Sequence, residues 1–194
     1  THLMHGAEYD EMCAAIDEYR DQFESVSIAE PLLGEVGSDA SVINADKEVV
    51  ARAITAAAVA ASGFDSLEAA KEAGAAFVFL GHGTAHVARV SYSQMSTQMQ
   101  QLGYENVFIG TVEGEPEETS CESVIEAVKA AGYTTVILRP LMVVAGDHAK
   151  KGSEAGMFRS GAFWTERIGE IADEKSNDDR AHGTAAVCAF GRLR

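Results

Sequence analysis

The sequence predicts an α/β protein, with a doubly wound, mostly parallel sheet and helices on both faces. Three observations support this fold class. Runs of β-branched and other apolar residues at 75–80, 106–112 and 134–138 predict buried strands. Segments 86–102 and 120–131 between them have the composition and glycine ends of helices. The connections are short, so right-handed crossovers should make these strands parallel.

The chain before the first sheet strand is predicted to contain helices and short extended pieces. Residues 1–4 are typical of a strand end, and residues 8–23 place apolar side chains at near-helical spacing. Residues 25–33 predict a short strand. The alanine-rich segment 46–61 predicts a helix, and residues 66–73 predict a shorter one.

Composition limits the class of function. The chain has 194 residues, of which 46% are hydrophobic and only 3 are proline, which indicates a folded domain. A formal net charge of -15 argues against nucleic-acid binding. No apolar run approaches a membrane span, and the first residues are not a signal peptide, so we expect no membrane partner and a cytoplasmic protein. Three scattered cysteines predict neither a disulfide framework nor a thiolate zinc site.

Three candidate metal ligands, His82, Glu113 and His148, each follow an apolar run. The run before His148 continues past Pro140, where regular strand pairing should stop or bulge. The candidates are separated by one strand-helix unit each, which should bring them to the carboxyl edge of the sheet, where ligands bind. Two imidazoles and a carboxylate suit a borderline divalent metal such as cobalt, nickel, iron or zinc. Flanking glycines would admit a large flat ligand, and these side chains could also transfer protons.

Structural interpretations remain open for these residues. A single histidine at a strand end is more often a hydrogen-bonded structural residue. Glu113 alone could be a solvent-exposed or helix-start carboxylate, and the glycines could simply make turns. His86 lies four residues after His82, but we expect His82 in a loop, so a helical pair of histidine ligands is not predicted. Tyr92 and Arg89 on the following helix could reach a ligand or serve surface and packing roles.

The same residues carry a family resemblance. The segments F-V-F-L-G-H-G-T-A-H (77–86), I-G-T-V-E-G-E-P (109–116) and R-P-L-M-V-V-A-G-D-H-A (139–149) resemble the anaerobic-pathway sirohydrochlorin cobaltochelatases, which are ferrochelatase-like class II chelatases. The start, H-L-M-H-G-A-E-Y (2–9), is similar to the family's H-x-x-x-G-x-E-Y segment. The resemblance covers about residues 1–149.

The resemblance implies a reaction and a site. Such enzymes insert a divalent metal, cobalt or in some members iron, into a tetrapyrrole without ATP. It implies Co²⁺ insertion into sirohydrochlorin in cobalamin biosynthesis, with His82, Glu113 and His148 as metal ligands and with Fe²⁺, Ni²⁺ or Zn²⁺ as metals that could also bind. His82 and His148 would be the catalytic residues, and one of the two would take up pyrrole protons. The candidate substrate-binding residues are His2, Glu8 and His86.

Two departures from the family pattern shape the predicted domains. Members usually carry an amino-terminal half with a G-T-S-type loop, which is absent from this sequence. They also continue after A-G-D-H-A with an N-D-M-A-G-like stretch, whereas this chain has K-K-G-S-E. We therefore expect a chelatase-like α/β domain at 1–149, mainly the carboxyl-terminal half of the family fold, and a divergent tail at 150–194 that could be helical. The net charge is -16 before this point and +1 after it.

Alternative functions remain open at this point. The chain could be a non-catalytic protein that binds metal or tetrapyrrole, or an unrelated small α/β binding protein in which these residues are structural. Iron insertion of the ferrochelatase type is a further alternative, because metal supply rather than ligand identity would decide between cobalt and iron. The family binds its tetrapyrrole between two halves, so a second copy of the chain could complete the cleft as a homo-oligomer.

Overall fold

The computed structural model describes residues 2–143, which contain a sheet of three strands. These are β1 (Ala75–Gly81), β2 (Val107–Thr111) and β3 (Thr135–Pro140). Both pairings are parallel, and β1 lies in the centre of the order β2-β1-β3. The parallel sheet predicted from the sequence is confirmed, as is the end of regular pairing at Pro140.

Five α-helices accompany this sheet within residues 2–143. They are α1 (Ala7–Asp17), α2 (Ala45–Ala61), α3 (Leu67–Glu72), α4 (Val90–Gln101) and α5 (Cys121–Ala130). Short 3₁₀ turns occupy Arg20–Gln22, Val87–Arg89 and Glu117–Thr119. None of the helices in this part of the chain has the length and apolar character needed to cross a bilayer.

The two faces of the sheet bury separate apolar clusters. Along β1, Phe77 and Phe79 pack on one face with side chains of α2, α3 and α4. Val78 and Leu80 pack on the other face with side chains of α5. Every residue of β1 is buried, as expected for the central strand of a sheet covered on both sides. Helices on both faces, the second part of the predicted fold class, are therefore confirmed.

The chain reverses its direction across the sheet after β2. It runs from β1 to β2 through α4 on one face, and from β2 past β1 to β3 through α5 on the other face. In open α/β sheets the carboxyl ends of the strands beside such a reversal form the crevice in which ligands bind. This edge carries the segments that follow β1, β2 and β3.

The amino-terminal part differs from the sequence prediction. Neither 2–4 nor 25–33 forms a strand in the described structure. Two backbone hydrogen bonds do join these segments. Leu32 N–H donates to the His2 carbonyl at 3.0 Å, and Leu33 N–H donates to the Leu3 carbonyl at 2.8 Å. Pro31 has no N–H to lengthen this pairing, and Gly34 turns the chain with a φ of 64°. In place of the two predicted strands, the structure has only these two hydrogen bonds between the segments 2–4 and 25–33.

A buried lysine holds the second of these segments against α2. The Lys47 side chain is 0% exposed, and its Nζ donates to the carbonyls of Leu33 and Glu35 at 2.8 and 3.0 Å. Asn44 Nδ2 donates to the same two carbonyls at 2.9 and 2.7 Å. Burial lowers the pKa of Lys47, because it disfavours the charged ammonium. The segment that pairs with His2 and Leu3 is thereby fixed to the core.

Candidate functional site

His82 and Glu113 are backbone neighbours at the carboxyl edge of the sheet. The pairing of β1 and β2 extends beyond both strands, because Val112 N–H donates to the Gly81 carbonyl and Glu113 N–H donates to the His82 carbonyl, each at 2.9 Å. Both His82 and Glu113 are exposed. Two of the three metal ligands predicted from the sequence thus lie next to each other on adjacent strand ends.

Gly83 makes this close approach sterically feasible. Its φ of 92° lies in the region that side chains rarely adopt. A Cβ at this position would lie 2.9 Å from the Glu113 Cβ and 3.2 Å from the Thr111 Cβ. The loop after β1 therefore packs directly on the end of β2, and only glycine fits there without displacing Glu113.

The ring of His82 is oriented by the following residue. Its Nδ1 lies 3.1 Å from the Gly83 carbonyl oxygen. A carbonyl oxygen can only accept, so Nδ1 carries the proton of this hydrogen bond and the lone pair of the neutral ring is on Nε2. Metal-binding histidines commonly donate their second ring N–H to a carbonyl in this way. The arrangement suits His82 for binding metal through Nε2.

Tyr92 on α4 packs against the loop that follows β1. Its side chain is 2% exposed, and its hydroxyl accepts the Gly83 N–H at 3.1 Å. A Cβ on Gly81 would lie 2.3 Å from Tyr92 Cε1, so the ring fills the space beneath that glycine. Burial raises the pKa of Tyr92, and hydrogen bonds from the backbone of Gly83 and His82 partly oppose this shift. The phenol is therefore neutral at physiological pH.

Two more side chains from the start of α4 reach the loop that follows Glu113. Arg89 Nη1 lies 3.2 Å from Glu115 Oε2, and Ser93 Oγ donates a hydrogen bond to the Glu118 carboxylate. The sequence left Tyr92 and Arg89 open to either ligand contact or surface and packing roles, and it did not indicate these particular contacts. The available signal was the placement of positions 89, 92 and 93 on one helix face, facing an acid-rich loop.

His148 lies outside the described residues. The described segment that precedes it, 141–143, follows β3 at the edge of the sheet that carries His82 and Glu113. After β3 ends at Pro140, Leu141 N–H donates to the Leu80 carbonyl at 2.8 Å, and Leu141 is buried. Within 2–143 no three His, Cys, Asp or Glu side chains are grouped closely enough to hold a metal ion. In the described part of the chain, the predicted ligand set is represented by His82 and Glu113.

His86 and Glu8 lie on neighbouring elements. His86 Nδ1 accepts the Ala88 N–H at 3.2 Å, so this side chain caps the 3₁₀ turn that precedes α4 and delays the start of the predicted helix. Glu8 is in the exposed first turn of α1. A Cβ on Gly6, just before α1, would lie 4.0 Å from the Ala88 Cβ, so the start of α1 packs against that turn.

His2 and His5 both pack edge-on against Tyr9, with ring centroids 5.7 and 4.7 Å from that of the tyrosine. His5 Nε2 also lies 2.8 Å from Asp10 Oδ1. His2 lines a cavity of about 410 Å³ together with Tyr9 and Val143. Since Val143 follows β3, this cavity lies beside the segment that leads toward His148.

Comparison with known proteins identifies cobalt chelatases in each case. The family described as cobalt chelatase (CbiK) matches residues 1–158. Sirohydrochlorin cobaltochelatase CbiKC of Nitratidesulfovibrio vulgaris is 30% identical over 150 residues, which cover 76% of this chain and 46% of that protein. The sirohydrochlorin cobaltochelatase of Salmonella typhimurium is 27% identical over 148 residues, which cover 76% of this chain and 48% of that protein. The chain thus spans about half the length of these two relatives.

Proposed function

The chain belongs to the cobalt chelatase (CbiK) family, and from this premise we propose that it inserts Co²⁺ into sirohydrochlorin in cobalamin biosynthesis. The substrate is the one named for the two relatives. The reaction is proposed to proceed without ATP, as the family resemblance implies. Co²⁺ and the macrocycle are both substrates of this reaction. The pyrrole nitrogens of the macrocycle replace the protein side chains as ligands of the metal.

His82, Glu113 and His148 are the proposed metal ligands. The observation that carries this assignment is the hydrogen bond from Glu113 N–H to the His82 carbonyl, which fixes the two residues side by side at the ligand-binding edge of the sheet. His148 is included because it is the histidine of the A-G-D-H-A motif, in the part of the chain that follows β3. Three protein ligands leave positions open for the incoming macrocycle.

His82 and His148 are also the proposed proton acceptors. Metal insertion releases two pyrrole N–H protons, and a neutral imidazole is a suitable base near neutral pH. The contact of His82 Nδ1 with the Gly83 carbonyl places the basic lone pair on Nε2. When the metal leaves Nε2 for the macrocycle, the same lone pair becomes available for a pyrrole proton.

His2, Glu8 and His86 are the proposed substrate contacts. Supporting this are the packing of the start of α1 against the turn after His86 and the cavity that His2 lines beside the segment after β3. His86 Nδ1 accepts a backbone N–H, so its Nε2 carries the proton in the neutral ring and can donate to an anionic group of a substrate.

The test is Co²⁺ insertion into sirohydrochlorin, followed by absorbance, with the 194-residue chain. His82→Ala and His148→Ala should abolish insertion, and Glu113→Ala should weaken Co²⁺ binding. His5→Ala is the matched control, because His5 contacts Asp10 and Tyr9 rather than the proposed ligands, and it should keep wild-type turnover. Wild-type turnover in both His82→Ala and His148→Ala would show that the proposed site is wrong.

A second candidate is a protein that binds Co²⁺ or tetrapyrrole without inserting the metal. The chain spans about half the length of the two relatives, so binding and insertion are tested separately. The second candidate predicts Co²⁺ binding that depends on His82 and His148 but no change in the sirohydrochlorin spectrum. The same assay with Fe²⁺ under anaerobic conditions tests iron insertion against cobalt insertion.

A further inference from the structure

The start of α4 contacts both loops that carry the described ligands. Arg89, Tyr92 and Ser93 lie three and four positions apart, which places them on one face of the helix. Tyr92 reaches the loop after β1, and the other two reach the loop after β2. This turn of helix is the common support of His82 and Glu113.

We propose that Tyr92 is a positioning residue of the metal site: its hydroxyl, by accepting the Gly83 N–H, keeps His82 in the tautomer whose Nε2 binds the metal. The proposal rests on the proposed function in that it takes His82 as a ligand. Tyr92 contacts neither metal nor substrate, and it acts through the backbone of Gly83.

Tyr92 is held rigidly by the packing around its ring. Its ring lies in the apolar cluster between α4 and the sheet, beside fully buried Met95. The 2.3 Å separation of Tyr92 Cε1 from a Cβ built on Gly81 shows how closely the ring lies beneath the strand end. A side chain packed in this way has one available position, so the place of its hydroxyl is fixed as well.

Two hydrogen bonds connect Tyr92 to His82 through Gly83. Tyr92 Oη accepts from the Gly83 N–H at 3.1 Å, and the Gly83 carbonyl accepts from His82 Nδ1 at 3.1 Å. Glycine has the largest conformational freedom of any residue, so the direction of this carbonyl depends on what holds the backbone. Removal of the hydroxyl leaves a buried N–H unsatisfied, which favours rotation of Gly83.

On the same turn, Arg89 holds its loop less firmly than Tyr92 holds Gly83. Arg89 and Glu115 are both exposed, and an ion pair in water contributes little to holding a loop. The contact from Tyr92 to Gly83 is buried and is not weakened by solvent. Tyr92 is therefore the residue of this turn on which the orientation of His82 depends most.

The test is Tyr92→Phe in the 194-residue chain, which removes the hydroxyl and keeps the ring. We expect Co²⁺ to bind about 10-fold more weakly, as for loss of other groups that orient a metal ligand. Without metal, long-range ¹H–¹⁵N correlation spectra should show His82 protonated on Nδ1 in the wild type and a mixture of tautomers in Tyr92→Phe. His82→Ala assigns the resonance and supplies the reference for lost Co²⁺ affinity.

Tyr104→Phe is the matched control. Tyr104 packs against the same apolar cluster but precedes β2, at the opposite end of the sheet from His82. It should keep wild-type Co²⁺ affinity and the wild-type tautomer. Equal weakening in Tyr104→Phe would indicate general loosening of the core and overturn the proposal.

Three further results would overturn the proposed role of Tyr92. Protonation of wild-type His82 on Nε2 would overturn the proposal without any variant. Wild-type affinity and tautomer in Tyr92→Phe, with lost affinity in His82→Ala, would overturn it while leaving the proposed function intact. Unchanged affinity in His82→Ala would remove His82 from the ligand set, and this failure of the proposed function would also overturn the role of Tyr92 in metal binding.

Discussion

At the scale of single residues, Gly83 lies where the loop after β1 packs on the end of β2. Its φ of 92° excludes side chains on conformational grounds, and the Glu113 Cβ at 2.9 Å excludes them on steric grounds. The two effects can be separated, because Gly103 has a φ of 74° with nothing within 4 Å of an added Cβ.

Gly83→Ala should therefore lower both stability and Co²⁺ affinity, whereas Gly103→Ala should lower stability alone. The shared backbone strain should cost about 1–2 kcal/mol in the free energy of unfolding. The Gly83 variant must also displace Glu113, so its Co²⁺ affinity should fall by about 10-fold. Urea denaturation and Co²⁺ titration of both variants measure the difference. Equal Co²⁺ affinities would show that the Gly83 contact does not set the ligand spacing.

Lys47 offers a second test at this scale. Lys47→Met keeps the length of the side chain but removes its hydrogen bonds to the Leu33 and Glu35 carbonyls, the first buried and the second partly buried. The free energy of unfolding should therefore fall by about 1–3 kcal/mol near neutral pH. Arg52→Met, at an exposed position of the same helix, is the control and should change stability far less. Denaturation curves at one pH measure both. Equal losses in the two variants would show that burial of Lys47 is not what matters.

The stability difference between the wild type and Lys47→Met should depend on pH, because the pKa of Lys47 is lowered in the folded protein. The folded protein releases the Lys47 proton at a lower pH than the unfolded chain, whose lysine has a pKa near 10.5. The folded state thus binds fewer protons in this window, and the contribution of Lys47 to stability rises with pH between the lowered folded pKa and the unfolded value. The stability difference between wild type and Lys47→Met should increase across this range. A constant difference would contradict a lowered pKa.

At the scale of elements, the first turn of α4 supports two loops by unlike contacts. The buried Tyr92–Gly83 contact and the exposed Arg89–Glu115 ion pair differ in the dielectric around them. An exposed ion pair contributes about 0–1 kcal/mol and is screened by salt. The geometry of His82 should accordingly be less sensitive to Arg89 than to Tyr92.

Arg89→Gln should change the free energy of unfolding by less than about 1 kcal/mol, and the change should shrink further as salt is added. Its Co²⁺ affinity should stay closer to wild type than that of Tyr92→Phe. Thermal denaturation at low and high salt, together with Co²⁺ titration, checks both expectations. A larger loss of affinity in Arg89→Gln than in Tyr92→Phe would reverse the proposed ranking of the two supports.

The elements that the sequence predicted well are those whose signal is local. β1 has an uninterrupted apolar run, and α5 has an apolar face with a serine cap, so both were predicted to within one or two residues. The segment 25–33 has strand-like residues, but its structure depends on Pro31 and on anchoring to α2 by Lys47. The packing of Tyr92 beneath Gly81 likewise depends on tertiary contact, which the sequence pattern does not encode.

At the scale of the whole molecule, the topology explains why residues far apart in sequence can meet at one edge of the sheet. Parallel strands end at the same edge, and the β2-β1-β3 order places the strand before His82 between the other two. The meeting of His82 and Glu113 was predicted from their spacing and is seen in their backbone contact. Their role as metal ligands, and that of His148, remains a prediction.

Metal binding and metal insertion should depend differently on protein concentration. Two of the three proposed ligands are adjacent within one chain, so Co²⁺ affinity per chain should be the same at all protein concentrations. The tetrapyrrole is expected to need a second half of the cleft, and the chain spans 46% and 48% of its two relatives. If another copy supplies that half, insertion per chain should rise with protein concentration in parallel with the dimer fraction. Analytical ultracentrifugation and insertion assays over the same dilution series measure this directly. Constant insertion per chain across a series in which only monomer is present would show that one chain completes its own site.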